Sequence, residues 1–371
     1  MAGPGSTVSP ILLASLRDLQ WRSRRFVLAA LAAGLVFGVA LMMSGVANSF
    51  TVEIKNTVSS LGATSWFVKA GIPGPFTDPA PFPASAADAI RSVPGVSAAE
   101  PILVSRALTH GAIQTPRGAN LAPGPERNVN LLGVVPGHVG APRVTKGTPL
   151  GGPDSVVVDE SLKTGIGDVI ALNGVHFKVV GLLNGVTYFA GQPVAFVTLG
   201  AAQQLGFSGA SLASAVITKG TPEGSVPGFT SLTDAQVRAD LKRPIVQADQ
   251  TIQLIQVILW IVAAGIIGAI VYISALERKG DFAVLKAVGT PSSHLFAGLV
   301  IQAIVMAVGA AVIGILVEIP MSSSSSMAVR LALSNYVAVP VVAVIVGVVA
   351  SVMPARRAAR VDPAIAFGGG K

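Results

Sequence analysis

Residues 277–289 read Glu277-Arg278-Lys279-Gly280-Asp281-Phe282-Ala283-Val284-Leu285-Lys286-Ala287-Val288-Gly289, and they lie between two long apolar segments, 254–274 and 295–317. About 20 consecutive apolar residues are what a helix needs to cross a bilayer. The stretch therefore stands where two membrane spans turn around. It is too short to be a domain, and its mix of charged and apolar positions is that of a short amphipathic helix. Held rigidly between two spans, such a helix can act as a lever between the cytosol and the membrane.

The rest of the chain supports a membrane setting. Of its 371 residues, 51% are hydrophobic and only 12% are charged, with a mean hydropathy of +0.67. A soluble domain carries about 25% charged residues. The net charge of +8 could serve nucleic acid, but its distribution argues against that. Residues 48–249 hold 14 basic and 13 acidic side chains, whereas the segments 1–25, 274–294 and 353–371 hold 11 and 4. Lys and Arg retained on one side mark cytoplasmic segments, so the basicity reports topology and no nucleic-acid partner is expected. The absence of cysteine excludes disulfides, thiolate nucleophiles and thiolate metal sites.

The first span is read at 26–47, behind Arg22, Arg24 and Arg25. At about 22 residues it exceeds the 7–15 of a signal-peptide core, so it is read as retained, although Gly45-Val46-Ala47 offers small residues for cleavage. Ahead of it, 1–25 is expected to form a cytoplasmic elbow helix, with Ile11, Leu12, Leu16 and Leu19 on one face and Trp21 at headgroup level. The second span is 254–274. The third is 295–317, opened by Thr290 as N-cap and Pro291 as first helical residue. The fourth is 337–353, bracketed by Pro340 and Pro354. Both termini then face the cytosol of a bacterial cell, in its inner or plasma membrane. Segment 275–291 is a cytoplasmic coupling helix, 318–336 a short outer loop with the serine run 322–326 as a connector, and 354–371 a cytoplasmic tail. Glu318, the one charge near the third span, is expected at the solvated interface. The fold class is membrane α-helical: four transmembrane helices, a large α+β extracytoplasmic domain at 48–249 between the first and second, and the amphipathic elbow at the N-terminus.

Within the outer domain a short helix is read at 84–92. Strands are read at 128–135, 155–159, 169–172, 176–183, 194–198 and 214–218. Asn173-Gly174 between two apolar runs is a strong hairpin signal. The Pro- and Gly-rich segment 70–83 is an extended loop whose Phe76 and Phe82 are expected to pack down. A helix from 234 to 253 is expected to lead into the second span as a stalk. In the first span Gly34 and Gly38 form a GxxxG pair, a candidate for close helix packing within the chain or across a dimer.

The 277–289 stretch resembles the cytoplasmic coupling segment of the MacB/LolC/FtsX-type ABC transporter permeases. Glu277, Arg278, Phe282, Leu285, Lys286, Ala287 and Gly289 match, with Asp281 at an acidic position. Gly280 departs from the pattern. Glycine costs about 1 kcal/mol inside a helix, so the helix is expected to start after it. Residues 354–367, PARRAARVDPAIAF, resemble the family's ending through Pro354, Ala355, Ala358, Pro363 and Ala364. The resemblance implies a four-span mechanotransmission permease working as a homodimer. An ABC ATP-binding subunit would dock on Glu277, Arg278, Asp281, Phe282, Leu285 and Lys286, with Phe282 and Leu285 as anchors. The basic tail residues Arg356, Arg357 and Arg360 are expected to hold anionic lipid headgroups, so membrane lipids are a further partner, with a periplasmic adaptor or envelope protein as another candidate.

The chain carries no P-loop, whose Gly-rich turn and Gly-Lys-[Ser/Thr] cradle phosphate; its sole Gly-Lys is Gly370-Lys371. ATP and Mg are therefore expected on the partner, with no catalytic residue and no cofactor here. His110, His138, His176 and His294 show no metal-ligand spacing. The spans lack the mid-membrane charges of an ion-driven transporter. The expected function is ATP-coupled export or extraction of a hydrophobic or amphipathic substrate. The alternative is an FtsX-like signalling protein that activates an envelope hydrolase without moving cargo. An enzymatic outer domain ranks last, for want of a nucleophile, base pair or metal cluster.

Overall fold

The computed structural model describes residues 23–189, 191–289, 291–324 and 333–359. The elbow helix expected before the first span, Thr290, and the tail beyond Ala359 lie outside these. Residues 49–248 form one compact unit, and the described residues up to Asn48 and from Asp249 onward form a second.

In chain order the elements are α1 (Ser23–Ser60), β1 (Ser65–Lys69), β2 (Phe82–Pro83), α2 (Ala86–Arg91), β3 (Ala98–Thr109), β4 (Ala112–Gln114), β5 (Arg127–Val134), β6 (Lys146–Gly147), β7 (Ser155–Asp159), a 3-10 turn (Glu160–Leu162), β8 (Val169–Leu172), β9 (Val175–Leu183), β10 (Thr187–Tyr188), β11 (Gln192–Thr198), α3 (Leu199–Phe207), β12 (Leu212–Ala213), β13 (Ala215–Lys219), β14 (Phe229–Thr233), α4 (Asp234–Lys242), a second 3-10 turn (Arg243–Ile245), α5 (Val246–Glu277), α6 (Lys279–Ala287), α7 (Ser292–Ser324) and α8 (Leu333–Ala359).

The globular unit is built on a twelve-stranded sheet of order β14-β1-β13-β3-β5-β11-β7-β9-β8-β4, with β10 beside β11 and β6 beside β9. Pairing is antiparallel except for β5 with β11 and β7 with β9, which run parallel. Side chains of a strand alternate between faces, and here both faces are covered. Trp66, Val68, Ile102, Val104, Leu132 and Phe196 enter one core. Their neighbours Leu103, Leu131, Ala195 and Val197 enter a second, which α3 covers through Ala202. Phe67 and Val216 enter a third, beneath α2. Burial on both faces explains why β7 and β11 read as near-continuous apolar runs. The turn between β8 and β9 is Asn173-Gly174, with φ of 49° and 84°. Positive φ at both central residues matches the twist of the flanking strands, which is what Asn-Gly supplies. Phe76 and Phe82 are 3% and 6% exposed and pack down as expected.

In the second unit, four helices are long and apolar enough to cross a membrane. Small residues bring them together. A Cβ on Gly34 of α1 would lie 2.6 Å from Cγ2 of Ile313, and one on Gly38 would lie 3.2 Å from the Gly314 carbonyl oxygen. The GxxxG pair thus faces α7 of its own chain. A Cβ on Gly347 of α8 would lie 3.0 Å from the Ala303 carbonyl oxygen of α7. Two buried or half-buried amides tie the spans further: Gln256 donates to the Ser44 hydroxyl at 2.8 Å, and Gln302 to the Ser274 hydroxyl at 3.2 Å.

Several helix bounds differ from the sequence reading. α1 runs past Ala47 to Ser60, because no Gly or Pro interrupts it until Gly62 at φ 61°. The single stalk expected over 234–253 is two helices, since Pro244 lies in a 3-10 turn between α4 and α5. Helix α7 begins at Ser292, one residue after Pro291, and continues through Pro320 to Ser324, so 318–324 is helix and not loop. Helix α8 passes through both Pro340 and Pro354. Neighbouring spans can satisfy the backbone groups that a proline frees inside a membrane helix. Glu318 is 1% exposed instead of solvated, and the Tyr336 phenol of α8 lies beside it.

Candidate functional site

Helix α5 ends at Glu277 and Arg278 leaves helical geometry, at φ −98° and ψ 16°. Helix α6 starts at once, with the Phe282 N–H donating to the Arg278 carbonyl at 3.0 Å. Gly280 therefore sits in its first turn, and the helix does not wait for it to pass. Gly289 closes the helix with φ 94° and its N–H on the Lys286 carbonyl at 3.0 Å. That left-handed geometry suits glycine, which explains the residue at this place.

The helix has two distinct faces. Phe282, 4% exposed, enters the apolar core of the helical unit in one cluster with Leu299 and Ala303 of α7, and Ala283 beside it is fully buried. The Arg278 guanidinium lies over the Phe282 ring at 5.5 Å, and its Nε is 3.6 Å from Asp281. A cation above a ring is attracted by the negative face of the π-system. Phe282 is thus turned into its own subunit and is not an exposed anchor for a partner. Among the described residues, the large apolar side chains left in the open here are Val284 of α6 and Val288, its C-cap, 52% and 82% exposed. Asp281 stands exposed, Lys286 is half-buried, and Glu277 is exposed at the end of α5 with a partner of its own. The Leu285 side chain lies outside the described part. Val284 and Val288 are four residues apart and so share a face. That spacing was the signal available in the sequence; the larger Phe282 drew the reading instead.

Two further arrangements, both inside the globular unit, hold helical segments against the sheet, and sequence reading missed both. On the C-terminal part of α1, Asn56 donates to the Gly185 carbonyl and Thr57 to the Thr187 carbonyl, each at 3.0 Å, while Glu53 accepts the Gly191 N–H at 3.2 Å. These three side chains stand at i, i+3 and i+4 on one helix face. On α4, Asp234 accepts the Trp66 indole N–H at 2.9 Å, and Asp240 holds the loop after β1. Thr233 caps α4 with a reciprocal Thr233–Gln236 capping box. Among the described residues no group of three acidic or histidine side chains forms a metal site.

Comparison with known proteins places this architecture. Residues 26–221 match the MacB-like periplasmic core domain, and 254–363 match the FtsX-like permease C-terminal region. An uncharacterized ABC transporter permease of Mycobacterium tuberculosis (strain ATCC 25618 / H37Rv) is 39% identical over 97% of this chain and 100% of its own length. A second permease of that organism is 36% identical over the same shares. The crystal structure of the periplasmic region of MacB from Actinobacillus actinomycetemcomitans is 12% identical, covers 51% of this chain and 97% of that one, and superposes with a TM-score of 0.33. With its four apolar helices and the α/β unit inserted between the first and second, the chain belongs to the MacB/FtsX-type ABC transporter permeases.

Proposed function

We propose that this permease converts ATP hydrolysis by a separate ABC subunit into movement of its globular unit, driving export or extraction of a hydrophobic or amphipathic substrate. The observation that carries the reading is the two-faced α6: Phe282 and Ala283 anchor it to its own spans, while Asp281, Val284 and Val288 stand exposed. A lever needs both a fixed side and a gripped side. The ATPase pair, holding ATP and Mg, grips the exposed side. Glu277, Arg278, Asp281 and Lys286 set its charge complementarity, and closure of the pair pulls α5 and α7. Two copies of the chain work together in a bacterial plasma membrane. Both termini and α6 face the cytosol, and the globular unit lies outside. The hydrogen bonds from α1 and α4 to the sheet carry the motion outward, because groups fixed by buried hydrogen bonds move together.

The test compares Val284→Asp/Val288→Asp with the conservative Val284→Ala/Val288→Ala in purified complexes. The charged pair should abolish co-purification of the ATPase and its stimulated turnover while the permease stays folded, and the alanine pair should retain part of both. Full binding and turnover by the charged pair would end the lever reading.

A further inference from the structure

Among the described residues of the globular unit, five large apolar side chains stand exposed: Leu108, Leu121, Ile166, Val175 and Val246. Leu108, Leu121 and Val175 lie at the β8–β4 end of the sheet, whereas the Ile166 side chain reaches toward Gly147 of β6. Leu108 closes β3 and exchanges hydrogen bonds with Asn173, donating its N–H to Oδ1 at 2.8 Å and accepting the Asn173 N–H at 3.0 Å. Val175 follows two residues on. Leu121 lies in the loop after β4, its N–H on the Ile113 carbonyl at 2.8 Å. Exposed apolar side chains scattered singly need no explanation, but their concentration at one place marks a binding surface.

Beside them is an open groove of about 600 Å³ between the 110–127 segment and the first 3-10 turn. Ligand sites are typically about 300–1,000 Å³. Its walls carry His110, Arg127 and Lys163 together with Leu121, Leu162 and Ala112, and no carboxylate. The acidic groups nearest in sequence to Lys163 are engaged elsewhere: Asp159 with the Ser161 and Val186 N–H groups at 2.9 and 2.7 Å, Glu160 with Lys146 Nζ at 2.9 Å, and Asp168 with the Gly165 N–H at 2.6 Å. His110 Nδ1 is 3.0 Å from the Gly124 carbonyl. A carbonyl only accepts, so Nδ1 carries the proton and the ring is fixed against the wall of the groove. Lys163 is held at φ 58° with its N–H on the Glu160 carbonyl at 3.0 Å, which fixes its backbone at the rim.

We propose that this groove binds an anionic amphiphile. A carboxylate or phosphate head sits on Arg127 and Lys163, and an acyl chain lies along Leu121 toward Leu108 and Val175. Arg binds such heads through its planar fork and Lys as a point charge. The inference rests on the reading that the permease handles an amphipathic molecule, and narrows that molecule to an anion.

The experiment uses the full-length permease in nanodiscs of zwitterionic lipid. Three photoreactive probes are compared: a diazirine-bearing palmitic acid, its methyl ester, and a diazirine-bearing lysophosphatidic acid. Mass spectrometry locates the label. At least one acid should mark peptides spanning 108–127 and 162–176, and which acid does so separates a free carboxylate from a phospholipid head. The ester should label them about tenfold less, the loss expected from removing a charge-assisted contact. Arg127→Glu/Lys163→Glu should lower acid labelling by a similar factor. Both residues are exposed, and the ester comparison needs no variant at all. Equal labelling by acid and ester, indifference to charge reversal, or label confined to the spans would overturn the proposal. So would a photo-crosslinker at Leu121 that, in cells, captures a second copy or another protein while neither acid labels the groove. Val284→Asp/Val288→Asp should label like the unmodified protein, so a failure of ATPase docking and a failure of the groove read out separately.

Discussion

The carboxylate of Asp240 on α4 accepts the backbone N–H of Phe76 at 3.0 Å, tying the Pro- and Gly-rich loop after β1 to the helix that precedes the second span. The same carboxylate takes the Thr77 N–H at 3.3 Å and the Thr77 hydroxyl. Asp240 is 1% exposed, and a Cβ on Gly74 would fall 2.3 Å from its side chain. Phe76 in turn meets the Trp66 and Tyr188 rings, each at 5.7 Å. Asp240→Asn keeps the shape but puts an N–H where an acceptor is needed, and leaving a buried donor unmatched costs about 1–3 kcal/mol. Its thermal unfolding temperature should fall. Gly74→Ala should cost a similar amount through the clash alone. Combined with Asp240→Ala it should cost clearly less than the two single losses together, because the second change removes what the first collides with. Strict additivity would mean that the loop is not seated as described.

The contacts of Asn56 and Thr57 with the carbonyls of Gly185 and Thr187 give a local prediction. Asn56→Ala/Thr57→Val removes two donors on one face of α1 and leaves its apolar contacts in place. Hydrogen exchange should quicken through 185–191, with β1 and β3 unchanged, since regions open locally according to their own contacts. Uniform acceleration across the sheet would show that these bonds hold the whole unit and not one segment.

Close approach of α1 and α7 makes two glycines of α7 differ sharply. A Cβ on Gly314 would meet Cβ of Phe37 at 2.8 Å and the Gly38 nitrogen at 2.9 Å, whereas one on Gly309 meets nothing within 4 Å. Backbone atoms cannot move aside as a flexible side chain can. Gly314→Ala should therefore destabilise the helical unit by about 1–3 kcal/mol, the usual cost of overpacking. Gly309→Ala should be neutral or slightly stabilising, since alanine is the better helix former. Detergent-melt midpoints of the two single variants give the comparison directly.

Features governed by local chemistry were legible in the sequence. Asn173-Gly174 announced its hairpin because both residues tolerate positive φ, and the short helix α6 announced itself because charge interrupts two apolar runs. Features governed by tertiary context were not legible. Strand β3 carries Pro101, Ser105 and Arg106, which break any apolar run, yet pairing with β13 and β5 makes it a central strand. Helix α3 contains Gly200 and Gly206, poor helix formers. It is nonetheless fixed by the Thr198 cap and by Ala202 packing where Gly133 of β5 leaves room. At the candidate site, the pattern placed α6 between the right spans. It did not reveal which apolar residue the subunit keeps for itself, because that depends on where α7 lies.

Tyr188 supplies a prediction in pH. It is 1% exposed, and burial pushes its phenol above the ordinary tyrosine range, with Arg106 partly opposing. The phenol is neutral when protonated, so its raised pKa favours the folded state only while the proton stays on. Below the unfolded value of about 10, both states are protonated and the contribution is complete. Above it, the unfolded chain ionises while the folded one does not. Stability should then fall by up to about 1.4 kcal/mol per pH unit from this one group. Tyr188→Phe keeps the ring contacts with Phe76 at 5.7 Å and Phe189 at 4.7 Å and removes the titrating oxygen. Melting midpoints taken from pH 9 to 11.5 should therefore decline more steeply for the unmodified permease than for the variant, with lysine titration common to both. Parallel curves would mean that the phenol ionises without unfolding the sheet, and the buried setting of Tyr188 would have to be abandoned.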